Sequence, residues 1–398
     1  MSWAEKRISE LGEIVTGKTP STKVAEFFGG EYPFVTPSDI EYGHYYARNT
    51  ETTVTELAKS KHRNQFVPKE SVLFTCIGNT MGKCAIAAQE CMTNQQINAV
   101  VANGDNDPKF LYYLLHHSRN IVRGIGMGGG AATPIINKTT FGNVKLRLPT
   151  DKLTQQTISS VLSAYDDLIE NNRRRIELLE ESARQLYKEW FVRFRFPGHE
   201  HVKIIDGIPE GWNHKTLSEV VTLVKDTVDP KNIPETTPYI GLEHLPRRSL
   251  TLNIWENAGK VSSSKFAFKC GDIIFGKIRP YFHKVGFTLV DGITSSDSIV
   301  LRPKLQKHYC VALSEVTSDA FVALASKTVR EGSKMPRADW DVLKNRILLE
   351  PPEAILSVFN NAIEAILNQC KLLSVQNLNL VKARDILLPR LMSGEIAV

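Results

Sequence analysis

The sequence predicts an α+β protein in which two repeated α/β globular domains are joined by two long helices, paired as an antiparallel coiled coil with pseudo-two-fold symmetry. Two observations carry this prediction. Similar strings recur in the same order about 200 residues apart, and each copy is followed by an unbroken heptad pattern. The length of 398 residues agrees, because it exceeds what one ordinary hydrophobic core accommodates.

The internal repeat is visible in several paired strings. FVPKESVLF (66–74) resembles FKCGDIIF (268–275), and GGAATPIINKTTFGNVKLRLP (129–149) resembles EGSKMPRADWDVLKNRILLEP (331–351). The second pair aligns Pro134 with Pro336. The repeat predicts four segments: a globular domain at 1–150, a helical segment at 151–196, a second globular domain at 197–350 and a second helical segment at 351–398.

Within each globular domain, the local patterns indicate a mixture of strands and helices. Short apolar runs bounded by Gly, Pro or Asn predict strands at 71–77, 99–102, 272–278 and 298–303. Apolar residues at helical spacing predict helices at 108–122 and 315–329. Each domain is therefore expected to be α+β in character.

The helical segments repeat apolar residues alternately every four and three residues, which is the pattern of a coiled-coil seam. A seam this narrow is not stable alone, so the two are expected to bury against each other. The predicted seam residues are Leu162, Tyr165, Ile169, Asn172, Ile176, Leu179, Leu186, Leu356, Phe359, Ile363, Ile366, Leu373, Asn377 and Leu380. This register leaves Arg173 and Arg174 on the outward face, balanced by Glu177, Glu180 and Glu181.

Composition excludes several classes of protein. The N-terminal stretch MSWAEKRISE lacks the apolar core of a signal peptide, and no apolar run is long enough for a membrane span. We therefore expect a cytoplasmic protein. The six cysteines include no CxxC pair, so no metal site is expected.

Two strings resemble catalytic motifs but lack features that those motifs require. GIGMGG (124–129) matches GxGxxG but follows a predicted helix instead of a strand. GNTMGKC (78–84) has one residue too few between its glycines for a P-loop and a cysteine in place of Ser or Thr. No HExxH motif and no convincing Ser/His/Asp set is present, so no catalytic residue is predicted.

Two similar domains on a rigid pair of helices suit the reading of duplex DNA at two places, one domain for each half-site. Reading bases and phosphates requires Arg, Lys, Asn, Gln, Ser or Thr on loops. The predicted DNA-binding residues are Lys18, Thr19, Asn79, Lys83, Asn94, Gln95, Gln96, Asn137, Lys138, Lys277, Arg279, Tyr281, His283, Lys284, Ser296, Asp297, Lys334 and Arg337. The two sets differ in side chain at matching places, as two readers of different sequences would.

The chain resembles the specificity (S) subunits of type I restriction-modification systems over its whole length. The strings that carry the resemblance are GKTPS (17–21), GGAATPIINKTTF (129–141), YKEWFVRFRFPG (187–198), IPEGW (208–212) and LLPRLMSGEI (387–396). Each string is weak alone, but their order is specific.

The resemblance implies a non-catalytic subunit whose two target recognition domains bind a bipartite site in double-stranded DNA. The helices would set the number of unread base pairs and dock two modification (methyltransferase) subunits. The resemblance leaves open whether two ATP-dependent restriction subunits join them. It implies no cofactor on this chain, since S-adenosylmethionine, ATP and Mg²⁺ would bind the partner subunits.

Two other functions remain open from the residues alone. One is a stand-alone enzyme, such as a fused methyltransferase or nuclease, which would modify or cut DNA without a partner. The other is a coiled-coil scaffold that joins proteins and binds no specific DNA sequence. Methylation or cleavage of DNA by the purified chain would establish the enzyme, and a gel shift at physiological salt that showed no specific binding would support the scaffold.

Overall fold

A computed structural model describes residues 2–41, 43–128, 133–329 and 335–398, apart from the side chain of Lys260. The chain divides into two compact units, Met1–Asn171 with Asn377–Val398, and Asn172–Gln376. Each unit holds one globular domain together with a part of each long helix.

The first unit consists of short strands and mostly short helices. Its strands are β1 (Trp3–Arg7), β2 (Gly12–Thr16), β3 (Phe28–Val35), β4 (Tyr46–Ala47), β5 (Thr52–Val54), β6 (Phe66–Val67), β7 (Val72–Thr75), β8 (Cys84–Ala87), β9 (Cys91–Thr93), β10 (Ile97–Ala102) and β11 (Lys145–Pro149). Its helices are α1 (Ile8–Leu11), α2 (Glu56–Lys61), α3 (Pro108–His117), α4 (Arg119–Met127) and α5 (Lys138–Asn143), and α6 (Lys152–Tyr187) begins here.

The main sheet of the first unit has the strand order β2-β10-β7-β8-β4, and a second sheet has the order β5-β3-β9-β6. In the main sheet, β2, β10, β7 and β8 are antiparallel to their neighbours, whereas β4 runs parallel to β8. Helix α3 packs on this sheet, and its residues Phe110 and Tyr113 share a buried core with Phe74. Burial of such aromatic side chains supplies most of the stabilisation of a domain of this size.

The second unit contains the strands β12 (Ile204–Ile205), β13 (Ile208–Pro209), β14 (Asn213–Thr216), β15 (Val221–Val224), β16 (Thr227–Val228), β17 (Pro238–Ile240), β18 (Thr251–Leu252), β19 (Glu256–Asn257), β20 (Lys265–Phe268), β21 (Ile273–Gly276), β22 (Val285–Thr288), β23 (Gly292–Thr294), β24 (Ser298–Pro303) and β25 (Ile347–Glu350). Its helices are α7 (Leu217–Val220), α8 (Tyr309–Val316), α9 (Asp319–Lys327) and α10 (Trp340–Leu343), and α11 (Glu353–Ser393) begins here. A π-helical turn, Lys188–Val192, continues α6.

The internal repeat is present in the structure. The main sheet of the second unit has the order β15-β24-β21-β22-β18, which matches that of the first unit strand for strand. Gly78 N donates to Pro134 O at 2.9 Å, and Arg279 N donates to Pro336 O at 2.8 Å. The two prolines aligned in the sequence therefore hold equivalent loops, and the predicted α+β fold with two long helices is confirmed.

Two predicted helices are each interrupted at a serine. The helix expected over 108–122 divides at Ser118, which lies between α3 and α4. The helix expected over 315–329 divides where the Ser318 hydroxyl accepts from Phe321 N at 3.1 Å and caps α9. The Ser318 hydroxyl thereby replaces a missing backbone partner, whereas the Ser118 side chain makes no capping hydrogen bond. The predictions of one continuous helix over 108–122 and one over 315–329 were wrong.

Within the second unit, α6 and α11 pack antiparallel. Asn172 Nδ2 donates to Gln376 Oε1 at 3.0 Å, and Ile176 shares a buried cluster with Leu373. Further along, the rings of Phe191 and Phe359 lie 4.8 Å apart. The sequence positions of these partners run in opposite directions, as the prediction of an antiparallel pair requires.

Within the first unit, the same two helices also pack antiparallel. Asn377 Nδ2 donates to Ile169 O at 3.4 Å, and Leu162 shares a buried core with Leu388. Asp166 and Arg384 form a buried ion pair between the helices. None of the helices in the described part of the chain combines the length and apolarity of a membrane span.

The predicted seam residues all face inward to some degree. The fully buried ones are Leu162, Ile169, Asn172, Ile176, Leu356, Phe359, Ile363, Leu373 and Asn377. The half-buried ones are Tyr165, Leu179, Leu186, Ile366 and Leu380. The heptad pattern thus identified the packed face of both helices.

One outward residue was predicted wrongly. Glu180 is only 2% exposed, and its Oε1 accepts from Thr251 N at 3.0 Å and from Thr251 Oγ1 at 2.9 Å. Arg174 and Arg175 are exposed, whereas Arg173 is half-buried. Glu180 is buried because the globular domain of the second unit covers this side of α6, which the heptad pattern cannot reveal.

Candidate nucleic-acid interface

One edge of the main sheet gathers the polar loops of the first unit. Because neighbouring strands are antiparallel, β2 and β7 end at the edge where β8 and β10 begin. The loops that leave and enter these strands carry Lys18, Thr19, Asn79, Lys83, Asn94, Gln95 and Gln96. Strand pairing thus brings residues that are spread over about 80 positions in the sequence to one edge of the sheet.

Hydrogen bonds between these loops make the edge continuous. Lys18 N donates to Thr93 O at 2.8 Å, and Thr19 Oγ1 donates to Gln95 Oε1 at 2.8 Å. Asn94 Nδ2 donates to Gln96 Oε1 at 3.3 Å. Lys18, Thr19, Asn79 and Gln95 are exposed, so donors and acceptors of several types face outward together.

The segment before α5 extends the same edge. Ile136 N donates to Cys76 O at 3.0 Å, which fixes the segment beside the β7–β8 loop. Asn137 and Lys138 are both exposed. Asn137 Oδ1 accepts from Thr140 N at 2.8 Å and caps α5, and the cap does not use the donors of its side-chain NH₂ group.

The second unit gathers its loops at the equivalent edge, where β15 and β21 end and β22 and β24 begin. Lys277 N donates to Asp297 O at 2.9 Å, and Arg337 Nε donates to Asp297 Oδ1 at 2.9 Å. Arg279, Tyr281, Ser296 and Arg337 are exposed. Lys334 lies outside the described residues.

Three predicted DNA-binding side chains contact backbone carbonyl groups of other segments of their own domain. Lys83 Nζ donates to Pro37 O at 3.0 Å, and Lys284 Nζ donates to Leu242 O at 2.5 Å. Burial lowers the pKa of both lysines. His283 is buried, and its Nε2 lies 2.8 Å from Thr317 O. The equivalent contacts of the two lysines show that these side chains hold the loops in place.

Known proteins are similar to this sequence. Residues 1–181 match the family described as the type I restriction modification DNA specificity domain. The chain is 28% identical over its whole length to the type I restriction enzyme MjaIX specificity subunit of Methanocaldococcus jannaschii, of which 94% is covered. The chain is similar to the type I restriction enzyme specificity subunits. It is also 26% identical to the HindI specificity subunit of Haemophilus influenzae, over 45% of this chain and 39% of that protein.

The fold of this chain is shared with a solved structure. A crystal structure of a type I restriction-modification system S subunit from M. genitalium superposes with a TM-score of 0.57. The match covers 98% of this chain and 96% of the other at 15% sequence identity. At this identity the likeness concerns the fold alone.

The edge of the main sheet in the second unit adjoins an open cleft of about 560 Å³. Lys225, Lys277, Arg337, Asp339 and Trp340 are among the residues that line it. Side chains of both charges therefore line the cleft, and the Asp297 carboxylate pairs with Arg337. Such a surface favours directed hydrogen bonds over a uniform attraction for anions.

Lys225 and Trp340 were missed by sequence reasoning. Lys225 follows β15 directly, and Lys18 follows β2 after one glycine. An alignment of the two repeats at these strand ends would have identified Lys225. Trp340 begins α10 and carried no comparable signal, because tryptophan is more often a core residue than a ligand contact.

One side-chain group in the described part of the chain has the spacing to hold a metal ion, namely Glu243, His244 and Glu256. His244 Nδ1 accepts from Gly241 N at 3.0 Å. The neutral ring therefore carries its proton on Nε2, which leaves no free nitrogen lone pair for a metal ion. The group does not fit a metal site in this conformation.

Proposed function

We propose that this chain is the DNA-recognition subunit of a type I restriction-modification complex and that each globular domain reads one half of a bipartite site. The observation that supports this proposal is that two equivalent sheet edges have different polar side chains on matching loops. Equivalent frameworks with different side chains are what an asymmetric pair of half-sites requires.

The residue types suggest a division of roles within each edge. In the first domain, Asn79, Asn94, Gln95, Gln96 and Asn137 suit adenine edges, and Lys18, Thr19 and Lys138 suit phosphates. In the second domain, the residues assigned to DNA contact are Lys277, Arg279, Tyr281, Ser296, Asp297, Lys334 and Arg337. Lys83, His283 and Lys284 would act by holding the reading loops.

The helices would serve as a ruler and as the docking surface for two modification subunits. Antiparallel packing within each unit gives the helices a fixed register. Apolar side chains remain exposed on them, including Leu178, Val358 and Leu372 in the second unit and Leu168 and Ile386 in the first. Exposed apolar side chains on otherwise packed helices favour a protein partner.

The complex would supply the chemistry that this chain lacks. S-adenosylmethionine would bind the adenine-N6 modification subunits, and ATP and Mg²⁺ would bind the restriction subunits where these are present. The chain itself would be a non-catalytic cytoplasmic protein. Its contribution would be to hold two reading edges at a defined separation on the duplex.

The test is to express this chain with its modification subunit in a host that lacks other adenine methylation and to sequence the methylome. We expect one asymmetric motif composed of two defined half-sites and an unread spacer. Purified chain alone should bind that duplex in a gel shift without methylating or cutting it. Modification by the chain alone would instead support an enzyme, and the absence of specific binding would support a scaffold.

A further inference from the structure

The β21–β22 loop of the second unit and the β7–β8 loop of the first unit have the same framework. Met81 N donates to Gly78 O at 3.0 Å, and Phe282 N donates to Arg279 O at 2.9 Å. Thr75 N donates to Lys83 O at 3.0 Å, and Gly276 N donates to Lys284 O at 2.8 Å. These pairs make Arg279 the equivalent of Gly78 and His283 the equivalent of Gly82.

The backbone at both positions is left-handed. In the first unit, Gly78 and Gly82 have φ angles of 79° and 93°. In the second unit, Arg279 and His283 have φ angles of 50° and 53°. Glycine adopts this conformation without penalty, whereas another residue pays about 1 kcal/mol or more. The second unit therefore carries two side chains where the fold alone favours glycine.

The two side chains differ in what they contribute to the fold. His283 is buried and lies 2.8 Å from Thr317 O through its Nε2, so it supports the loop from within. Arg279 is exposed, and no carboxylate of the described residues forms an ion pair with its guanidinium. Its backbone N–H bond to Pro336 O would persist with glycine at this position.

The loop presents Arg279 outward at the edge proposed to meet DNA. In the same loop, Tyr281 is 57% exposed, and the Phe282 ring centre lies 4.4 Å from the guanidinium carbon of Arg247. The loop is held by Lys284 Nζ on Leu242 O at 2.5 Å. A planar guanidinium on a fixed loop suits the O6 and N7 acceptors of guanine in the major groove.

We propose that Arg279 reads a guanine in the half-site of the second domain, and that the glycine-favouring position retains arginine for this contact. The inference rests on the proposed function. Because Gly78 and Asn79 stand at the matching place in the first domain, that domain has no counterpart to this guanine contact. Arg279 is thus one source of the difference between the two half-sites.

The test compares variants of the full chain, each expressed with its modification subunit, by methylome sequencing. Arg279→Gly keeps the backbone conformation and removes the guanidinium. Arg279→Asn keeps a residue that tolerates the left-handed region but prefers adenine. Arg248→Gly is the matched control, because Arg248 also has a positive φ of 57° and its guanidinium already pairs with Asp319 at 3.0 Å.

Arg279→Gly should leave the first half-site and the spacer unchanged and make one guanine of the second half-site degenerate. Methylation of the original sites should slow about ten- to a hundredfold. Arg279→Asn should shift that position toward adenine, and Arg248→Gly should preserve the motif. Thermal unfolding should show Arg279→Gly to be at least as stable as the wild-type chain.

An unchanged motif in Arg279→Gly, or the same loss in Arg248→Gly, would overturn the inference, as would a destabilised Arg279→Gly chain. A wild-type motif whose second half-site contains no guanine would also overturn the inference. These results would leave the proposed function intact. A wild-type complex that methylates no bipartite motif would instead remove the proposed function together with this inference.

Discussion

Tyr113 donates its phenolic hydrogen to Asp166 Oδ2 at 2.6 Å, and Asp166 Oδ1 accepts from the guanidinium of Arg384. The three residues lie on α3, α6 and α11 within the first unit. Asp166 is 0% exposed and Arg384 is 4% exposed. A charge pair buried at the meeting point of three helices fixes the globular domain on both long helices.

Replacement of Asp166 by alanine should destabilise the first unit strongly. It leaves the Arg384 guanidinium buried without its main counter-charge, which typically costs about 3 kcal/mol or more. Asp167→Ala is the matched control, because the neighbouring Asp167 side chain is 50% exposed and should contribute below about 1 kcal/mol. Calorimetric unfolding of the full chain checks both, and equal losses would contradict the role of the buried pair.

The first unit should lose stability in acid through His116. Its Nε2 lies 2.9 Å from Arg119 Nη1, and since a guanidinium only donates, this nitrogen accepts and the ring is neutral. Burial, followed by the charge of Arg119, lowers the pKa of His116 from 6.5 to about 3. The folded state therefore binds fewer protons, so this contribution is present above pH 6.5 and is lost as the pH falls toward 3.

His116→Gln should flatten this dependence, because glutamine accepts from Arg119 without titrating. His201→Gln, at a histidine whose side chain is 83% exposed, is the control. Melting temperatures measured between pH 7 and about 4 give the comparison. If the His116 variant loses as much stability in acid as the control, another group is responsible.

Lys18→Ala should weaken DNA binding equally for all sequences, because a lysine at this edge is expected to contact phosphate. The slope of log affinity against log salt should fall in magnitude by about one. Lys69→Ala is the control, since Lys69 is exposed just before β7 begins, at the opposite edge of the same sheet. Fluorescence anisotropy over a salt series would refute the contact if both slopes changed alike.

Glu180→Ala should destabilise the second unit. The Glu180 carboxylate accepts from Thr251 N at 3.0 Å and from Ser249 Oγ at 3.0 Å, so its removal strands a buried backbone donor. The expected loss is about 2 kcal/mol. The adjacent Glu181 is exposed, and Glu181→Ala should cost less than about 1 kcal/mol. Chemical denaturation that failed to separate the two variants would argue against this anchor.

The packed faces of the long helices could be predicted because heptad spacing is a local property. Ile169, Ile176, Phe359 and Ile363 are buried as their spacing indicates. Glu180 could not be predicted as buried, because its partner Thr251 lies 71 residues away. The charge of a residue predicts exposure only where no distant segment supplies hydrogen-bond donors.

The repeat predicts that the polar loops of the two domains are equivalent, but the directions of their side chains could not be predicted. Lys18 and Lys83 have the same chemistry, yet Lys18 is exposed and Lys83 Nζ donates to Pro37 O. That contact depends on the close approach of two loops about 46 residues apart, which strand pairing creates. The left-handed backbone at Arg279 likewise could not be predicted from the sequence, because the structure is needed to show that Arg279 is equivalent to Gly78.

The most direct test of the proposed ruler is the methylome produced by a variant whose two long helices are both longer than in the wild-type chain. One heptad added to both α6, within 158–190, and the facing part of α11 keeps the seam in register. The same insertion at the exposed β12–β13 turn, Asp206–Gly207, is the control. The account predicts a longer spacer between unchanged half-sites for the helix variant and an unaltered motif for the control. Altered half-sites with an unaltered spacer would contradict it.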